Sequence, residues 1–265
     1  MSRSFIELAG LLPLFFMALA TAWAAESGRP PIIVLISGEF EYESARTLPA
    51  LKRDLETRFG FNCIYLERTK GEEVPGLDAL DRADLVILFI RRMSLPKEQL
   101  GKVKKYVESG KPVIGLRTAS HAFENWKEWD HDVLGGNYQN HYGNNLVATI
   151  RVRPEAATHP ILRGVEKEFV AGGSLYRNEP LPPSSTVLLS GSVSNQPPEP
   201  VAWTHQYKKA RAFYTSLGHP KDFDNASFRR LLVNAIFWTL NRPVPDGPDQ
   251  SGKSEAGRAA GPDAK

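Results

Sequence analysis

The chain has 265 residues and a formal net charge of +3, with Lys and Arg spread among Asp and Glu. No basic stripe with interleaved aromatics occurs, so nucleic acid is not an expected partner. Cys63 is the only cysteine, which excludes an internal disulfide. Its apolar neighbours predict a buried strand residue and not a reactive thiol.

At the N-terminus Arg3 precedes an apolar run from Leu8 to Ala20, followed by Ala22-Trp23-Ala24. That is the pattern of an export signal, with cleavage predicted after Ala24. The run falls short of the roughly 20 apolar residues of a membrane span, and Pro13 interrupts it. A periplasmic or secreted product with no stable membrane insertion after cleavage is the expectation. Residues 243–265 are Pro, Gly, Ser, Ala and mixed charge, and are expected to form a solvated, disordered tail. The span from 29 to 242 fits one domain.

Pro31 to Ser37 is a continuous β-branched run, the signature of a strand buried on both faces. A helix should follow, capped by Thr47, with Leu48, Leu51, Leu55 and Phe59 along one side. Asn62 to Leu66 and Leu85 to Ile90 read as strands two and three. Pro96 opens a second helix with Leu100, Val103 and Val107 inward and Gly110 at its close. Val113 to Leu116 is strand four. This alternation predicts an α/β fold with three layers, a mostly parallel central sheet and helices on both faces. Farther on, Leu146 to Val152, Thr186 to Leu189, Val201 to Thr204 and Arg211 to Tyr214 read as strands between Pro-rich loops. Ala226 to Leu240 is the last helix, burying Phe228, Leu231, Leu232, Ala235 and Trp238, with Asn225 as its cap.

Ligands of an open parallel sheet bind beyond the carboxyl ends of its strands. Three segments turn abruptly polar there: Ser37 to Tyr42, Arg91 to Met93, and Arg117 to His121. In the last, Gly115-Leu116-Arg117-Thr118-Ala119 occupies the place where glutamine amidotransferases carry a G-x-C-x-G nucleophile elbow. A guanidinium is no nucleophile, but its fixed fork can clamp an anion or the paired oxygens of a sugar or carboxylate. It can equally just neutralise Glu39 or Glu41.

Five ordered motifs carry a family likeness. They are Gly115-Leu116-Arg117-Thr118, the run from Leu134 to His141 (LGGNYQNH), and His159-Pro160-Ile161-Leu162-Arg163-Gly164. Pro200-Val201-Ala202-Trp203 and the run from Ala210 to His219 (ARAFYTSLGH) complete the set. In order and spacing they resemble the ThuA-like (trehalose-utilisation) family, a branch of the class I glutamine amidotransferase-like fold. The resemblance implies that fold and an involvement with sugars or their oxidised derivatives. The chain departs from the pattern in three places. Arg117 replaces the elbow histidine, Gly173-Ser174-Leu175-Tyr176 replaces an acidic D-E-x-Y element, and Ala210 replaces a glycine.

The expected site therefore takes Glu39, Tyr42, Arg91, Arg117, Thr118, Tyr138 and Tyr176 as ligand-binding residues. His121, His141 and His219 are the candidate proton movers. Three imidazoles could also hold zinc, yet no short ligand spacing supports a metal, and no cofactor is expected. Tyr138, Trp126, Trp129 and Trp203 could stack on a sugar ring, with a core role favoured for Trp203 and Trp238. His159 should fix a loop, while His131 and His205 should lie at the surface. The partner is expected to be a small carbohydrate or keto-sugar, bound with or without turnover; no pattern specifies an oligomer. Cys63, in strand two, cannot serve the elbow, which argues against an amidotransferase.

Overall fold

The computed structural model describes residues 28–69 and 71–246. The expected leader, its cleavage site and the tail beyond residue 246 lie outside the described residues. Strands are β1 (Ile32–Gly38), β2 (Asn62–Glu67), β3 (Leu85–Ile90), β4 (Val113–Leu116), β5 (Asn140–His141), β6 (Thr149–Val152), β7 (Glu168–Val170), β8 (Tyr176–Arg177), β9 (Thr186–Ser192), β10 (Glu199–Tyr207) and β11 (Ala210–Thr215). Helices are α1 (Ser44–Phe59), α2 (Lys97–Glu108) and α3 (Ala226–Thr239).

Nine strands form one sheet in the order β2-β1-β3-β4-β11-β10-β9-β6-β7. The first five run parallel, and the sheet then continues antiparallel through β10, β9, β6 and β7. The doubly wound half follows from its residues. Successive side chains of a strand point to opposite faces, so Ile33 and Leu35 join the core under α1 and α3. Val34 and Ile36 join the other core, under α2. Both faces are covered, which is why β1 and β3 read as unbroken apolar runs.

Some boundaries differ from the sequence reading. Thr47 is not the cap of α1; the helix starts at Ser44, behind Glu43 in a left-handed conformation. Thr47 Oγ1 instead donates to the Glu43 carbonyl from inside the first turn. The strand expected from Leu146 starts only at Thr149, and the short β5, β7 and β8 were not anticipated. Two-residue strands such as β5 and β8 hold too few residues for a period to show. Cys63 is half-buried, and burial pushes its thiol up to about 12. Trp203 is in the core as expected, whereas Trp238 is only half-buried, with Arg211 over its ring. Asn225 caps α3 by accepting from Ser227 and Phe228 amides.

Candidate functional site

Strand β4 ends in a sharp elbow. Arg117 holds a left-handed backbone (φ 44°), rare and strained for a residue with a side chain. Two contacts fix the turn from behind. The Tyr214 hydroxyl, on neighbouring β11, donates to the Arg117 carbonyl at 2.6 Å. Gly218, at φ 135°, leaves room beside Arg117, where a Cβ would come within 3.2 Å of the Arg117 Cβ. The glycine of the Leu217-Gly218-His219 motif thus serves the elbow.

The Arg117 side chain is 1% exposed and is held from four sides. Nη1 donates to the Ser216 carbonyl at 2.9 Å and Nη2 to Ser174 Oγ at 3.2 Å. The guanidinium lies 4.0 Å from the ring centre of Tyr42 and 4.8 Å from that of Tyr176, a cation–π sandwich. Burial alone would lower its pKa, but Tyr176, Tyr42 and Asp222 together raise it, so the cation is retained. Arg117 Nε and Thr118 Oγ1 are buried without a hydrogen-bond partner. Gly173 explains how so large a group fits: a Cβ there would lie 2.8 Å from Nη2.

Neither Glu39 nor Glu41 neutralises this cation. Glu39 is buried and accepts from the Tyr42 and Ser44 amides at 2.7 and 2.8 Å, so it fixes the loop into α1. Glu41 pairs with Arg91 at 3.0 Å. The acid whose field reaches Arg117 is Asp222. It is itself buried and accepts from the Gly172, Gly218 and His219 amides.

Beside the elbow lies a cleft of about 310 Å³ lined by Glu41, Tyr42, Arg117, Asn144, Gly172, Gly173, Ser174 and His219. It opens at the carboxyl edge of the parallel strands, where ligands of such sheets bind. A larger hollow of about 390 Å³ sits at the opposite edge, beside Arg29 and Asp84. Those two side chains already form an ion pair at 2.8 Å, and none of the elbow residues reaches it; the carboxyl-edge cleft is the better candidate.

The three candidate histidines prove unlike one another. His219 lines the cleft, edge-on to Tyr42. Its Nδ1 accepts from the Lys221 amide, which leaves the proton on Nε2 and makes that atom a donor. Burial lowers its pKa despite the opposing pull of Asp222. His121 lies deeper, stacked on Tyr138 with ring centres 4.3 Å apart. Burial first, then Arg92, Arg91 and Arg117, push it down to about 3. It is therefore neutral across the physiological range and a poor proton donor. His141 is exposed, and its ring Nδ1 donates to the Tyr142 carbonyl at 2.7 Å. Pairing of β5 with β8 sets it beside Tyr176. None of the three is oriented by a carboxylate in the way a catalytic dyad requires.

The glycine-rich run from Leu134 to His141 positions Tyr138. A Cβ on Gly136 would lie 2.3 Å from Asp130 Oδ1, so any larger residue there would displace that carboxylate. Asp130 accepts from the Tyr138 amide at 2.7 Å, and burial raises its carboxyl to about 7. Tyr138 also packs on Tyr176. Trp126, Trp129 and Trp203 are core residues, distant in role from any stacking platform, because the second core layer covers them. His205 is buried instead of exposed, its ring beside the Asp132 carbonyl and Ser185; His131 is exposed. His159 does fix its loop, accepting from the Ile161 amide. Among the described residues no three His, Cys, Asp or Glu side chains converge to hold a metal ion. Nor is any described helix long and apolar enough to cross a membrane.

Sequence reasoning missed Asn144, Gly172 and Asp222. Asp222 could have been found: His219-Pro220-Lys221-Asp222 is a capping arrangement, in which the carboxylate reaches back to the first residue's amide.

Residues 34–239 match the model of the ThuA family, described as trehalose utilisation. Among solved structures, a putative ThuA-like protein from Bacteroides uniformis superposes with a TM-score of 0.64 at 22% identity, covering 82% of this chain and 95% of that one. A putative ThuA-like protein from Parabacteroides merdae gives 0.65 at 17% identity, covering 83% and 94%. A β-galactosidase from Bacillus circulans gives 0.57 at 13% identity, with 83% of this chain on 32% of the enzyme. At such identities these structures show a common fold and no more. No curated protein sequence matches the chain.

Proposed function

The chain belongs to the ThuA family, and from that premise we propose that it binds a monosaccharide-sized carbohydrate or keto-sugar in the carboxyl-edge cleft, as an exported component of sugar utilisation. The cleft carries the proposal. Its volume of about 310 Å³ suits one sugar ring, near the lower end of small-molecule sites. Its lining is polar and convergent: Ser174, Asn144, Glu41, the His219 Nε2–H and the Arg117 edge, with the Tyr42 ring as an apolar wall. Flat C–H faces of a sugar suit such a wall. Export rests on the Leu8 to Ala20 run and the Ala22-Trp23-Ala24 motif.

A second reading, binding without turnover, is favoured by the state of the titratable groups. His121 is held at about 3, and Glu39 and Asp222 already hold backbone amides. If turnover occurs, His219 is the proton mover, being the histidine that lines the cleft. Thermal shift and calorimetry with a panel of neutral sugars and keto-sugars test the site. Saturable binding abolished by Tyr42→Ala and His219→Ala is expected. Equal binding by wild type and both variants, or no binding by any sugar, would sink the proposal.

A further inference from the structure

Resting on the carbohydrate reading above, we infer that the cleft selects a sugar bearing a carboxylate, an aldonate- or uronate-like acid, over the corresponding neutral sugar. The inference comes from the state of the carboxylates and cations nearest Arg117 and the cleft.

The carboxylates are occupied. Glu39 accepts from two backbone amides, and Asp222 accepts from three. Glu199 accepts from the Asn178 and Glu179 amides and from the Tyr142 hydroxyl. Glu41 is paired with Arg91. A neutral sugar offers mostly hydroxyls, and the usual partner of a hydroxyl's proton is a free carboxylate oxygen. Here the oxygens of Glu39, Asp222 and Glu199 already have donors, and Glu41 Oε1 is held by Arg91.

Apart from Arg91, which holds Glu41, two cations are in the opposite condition. Arg117 is buried with no ion pair among the described residues, one of its three nitrogens lacks an acceptor, and it lines the cleft. A cation held away from water is costly unless a counter-charge is near. Asp222 supplies a field, but its oxygens bond to amides and not to the guanidinium. Arg92, whose charge is felt at both His121 and Tyr138, is exposed and has no ion pair among the described residues. The His219 Nε2–H adds a donor on the same side. Donors in excess of acceptors, with low-dielectric tyrosine rings around the central charge, match a ligand whose defining group is an anionic acceptor.

Calorimetric titrations of the folded domain with D-gluconate, D-glucuronate and D-glucose, each at low and at roughly 0.5 M NaCl, test this. An acid should bind about tenfold or more tightly than glucose, and added salt should shrink that advantage as it screens the charges. Arg117→Met should erase the advantage. Arg92→Gln should reduce it severalfold, and this exposed change keeps the test decisive if Arg117→Met does not fold. Glucose binding as tightly as both acids would overturn the inference while leaving the carbohydrate reading intact. An advantage that survives in both variants, or that ignores salt, would also overturn it. A flat response to all three sugars defeats this inference, and if the neutral panel is flat as well, the carbohydrate reading falls with it.

Discussion

The parallel half of the sheet and the cleft wall are both buried, yet they are built on opposite principles. Around β1, β3 and β4 the interior is apolar: Ile33, Leu35, Ile87 and Phe89 are fully buried with nothing polar to satisfy. Beyond the strand ends, burial instead encloses Arg117, Thr118, Asp222 and one oxygen of half-buried Asp130. Three of those four keep an atom without a hydrogen-bond partner. Buried polar groups are normally satisfied, so the orphans mark a region shaped by something other than stability. The strained backbone of Arg117 falls in the same place.

Deleting a core side chain should do the most damage to the fold. Ile87→Ala should cost about 2–5 kcal/mol in chemical unfolding, because it leaves a cavity between two covered faces. Gly136→Ala comes next. Its Cβ would strike the Asp130 carboxylate at 2.3 Å, and a loss of about 1–3 kcal/mol is expected, together with a displaced Tyr138. Arg117→Met should break the parallel between the two regions. Met keeps a chain of similar length and spares the cost of desolvating an unpaired cation; stability should change by no more than about 1.5 kcal/mol while the preference for the acid is lost. A large loss of stability with the acid preference intact would make Arg117 a core residue like Ile87.

Titration should sharpen the contrast further, with smaller effects. His121 sits at about 3 in the fold against 6.5 ordinarily. Its contribution is full above about pH 6.5 and is lost as pH falls toward 3. Asp130 sits at about 7 against 3.8. Its contribution is full below about pH 4 and is lost as pH rises through 7. The two slopes oppose each other between those limits. His121→Asn should therefore leave stability falling as pH rises from 4 to 7, whereas Asp130→Asn should leave it rising. Unfolding midpoints measured across that range decide it. Smallest of all, Glu41→Gln removes a half-exposed pair with Arg91, and should change stability by less than about 1 kcal/mol.

The same contrast explains what could be read from the sequence. The doubly wound half was legible because its strands are covered on both faces and its helices carry regular apolar stripes, so periodicity reports on structure directly. The elbow was legible too, through the abrupt change from Leu116 to Arg117. What surrounds Arg117 was not. Glu39 looked like a ligand for the guanidinium, but the carboxylate turns to the amides of its own loop. His205 was expected at the surface, yet β10 carries it inward against the Asp132 carbonyl. The surroundings of Arg117 and of His205 depend on contacts across 57 to 99 positions of chain, such as Arg117 with Ser174 and Ser216, and no local pattern encodes them.

The close fit of Gly173 against the guanidinium has a consequence for anyone who redesigns the elbow. A Cβ at 173 would stand 2.8 Å from Nη2, so a side chain there and the arginine in its present rotamer exclude each other. An acidic side chain at 173, as in the pattern this chain resembles, would push the guanidinium out of its seat between Tyr42 and Tyr176. Positions 117 and 173 are a matched pair, and changing one means resetting the other.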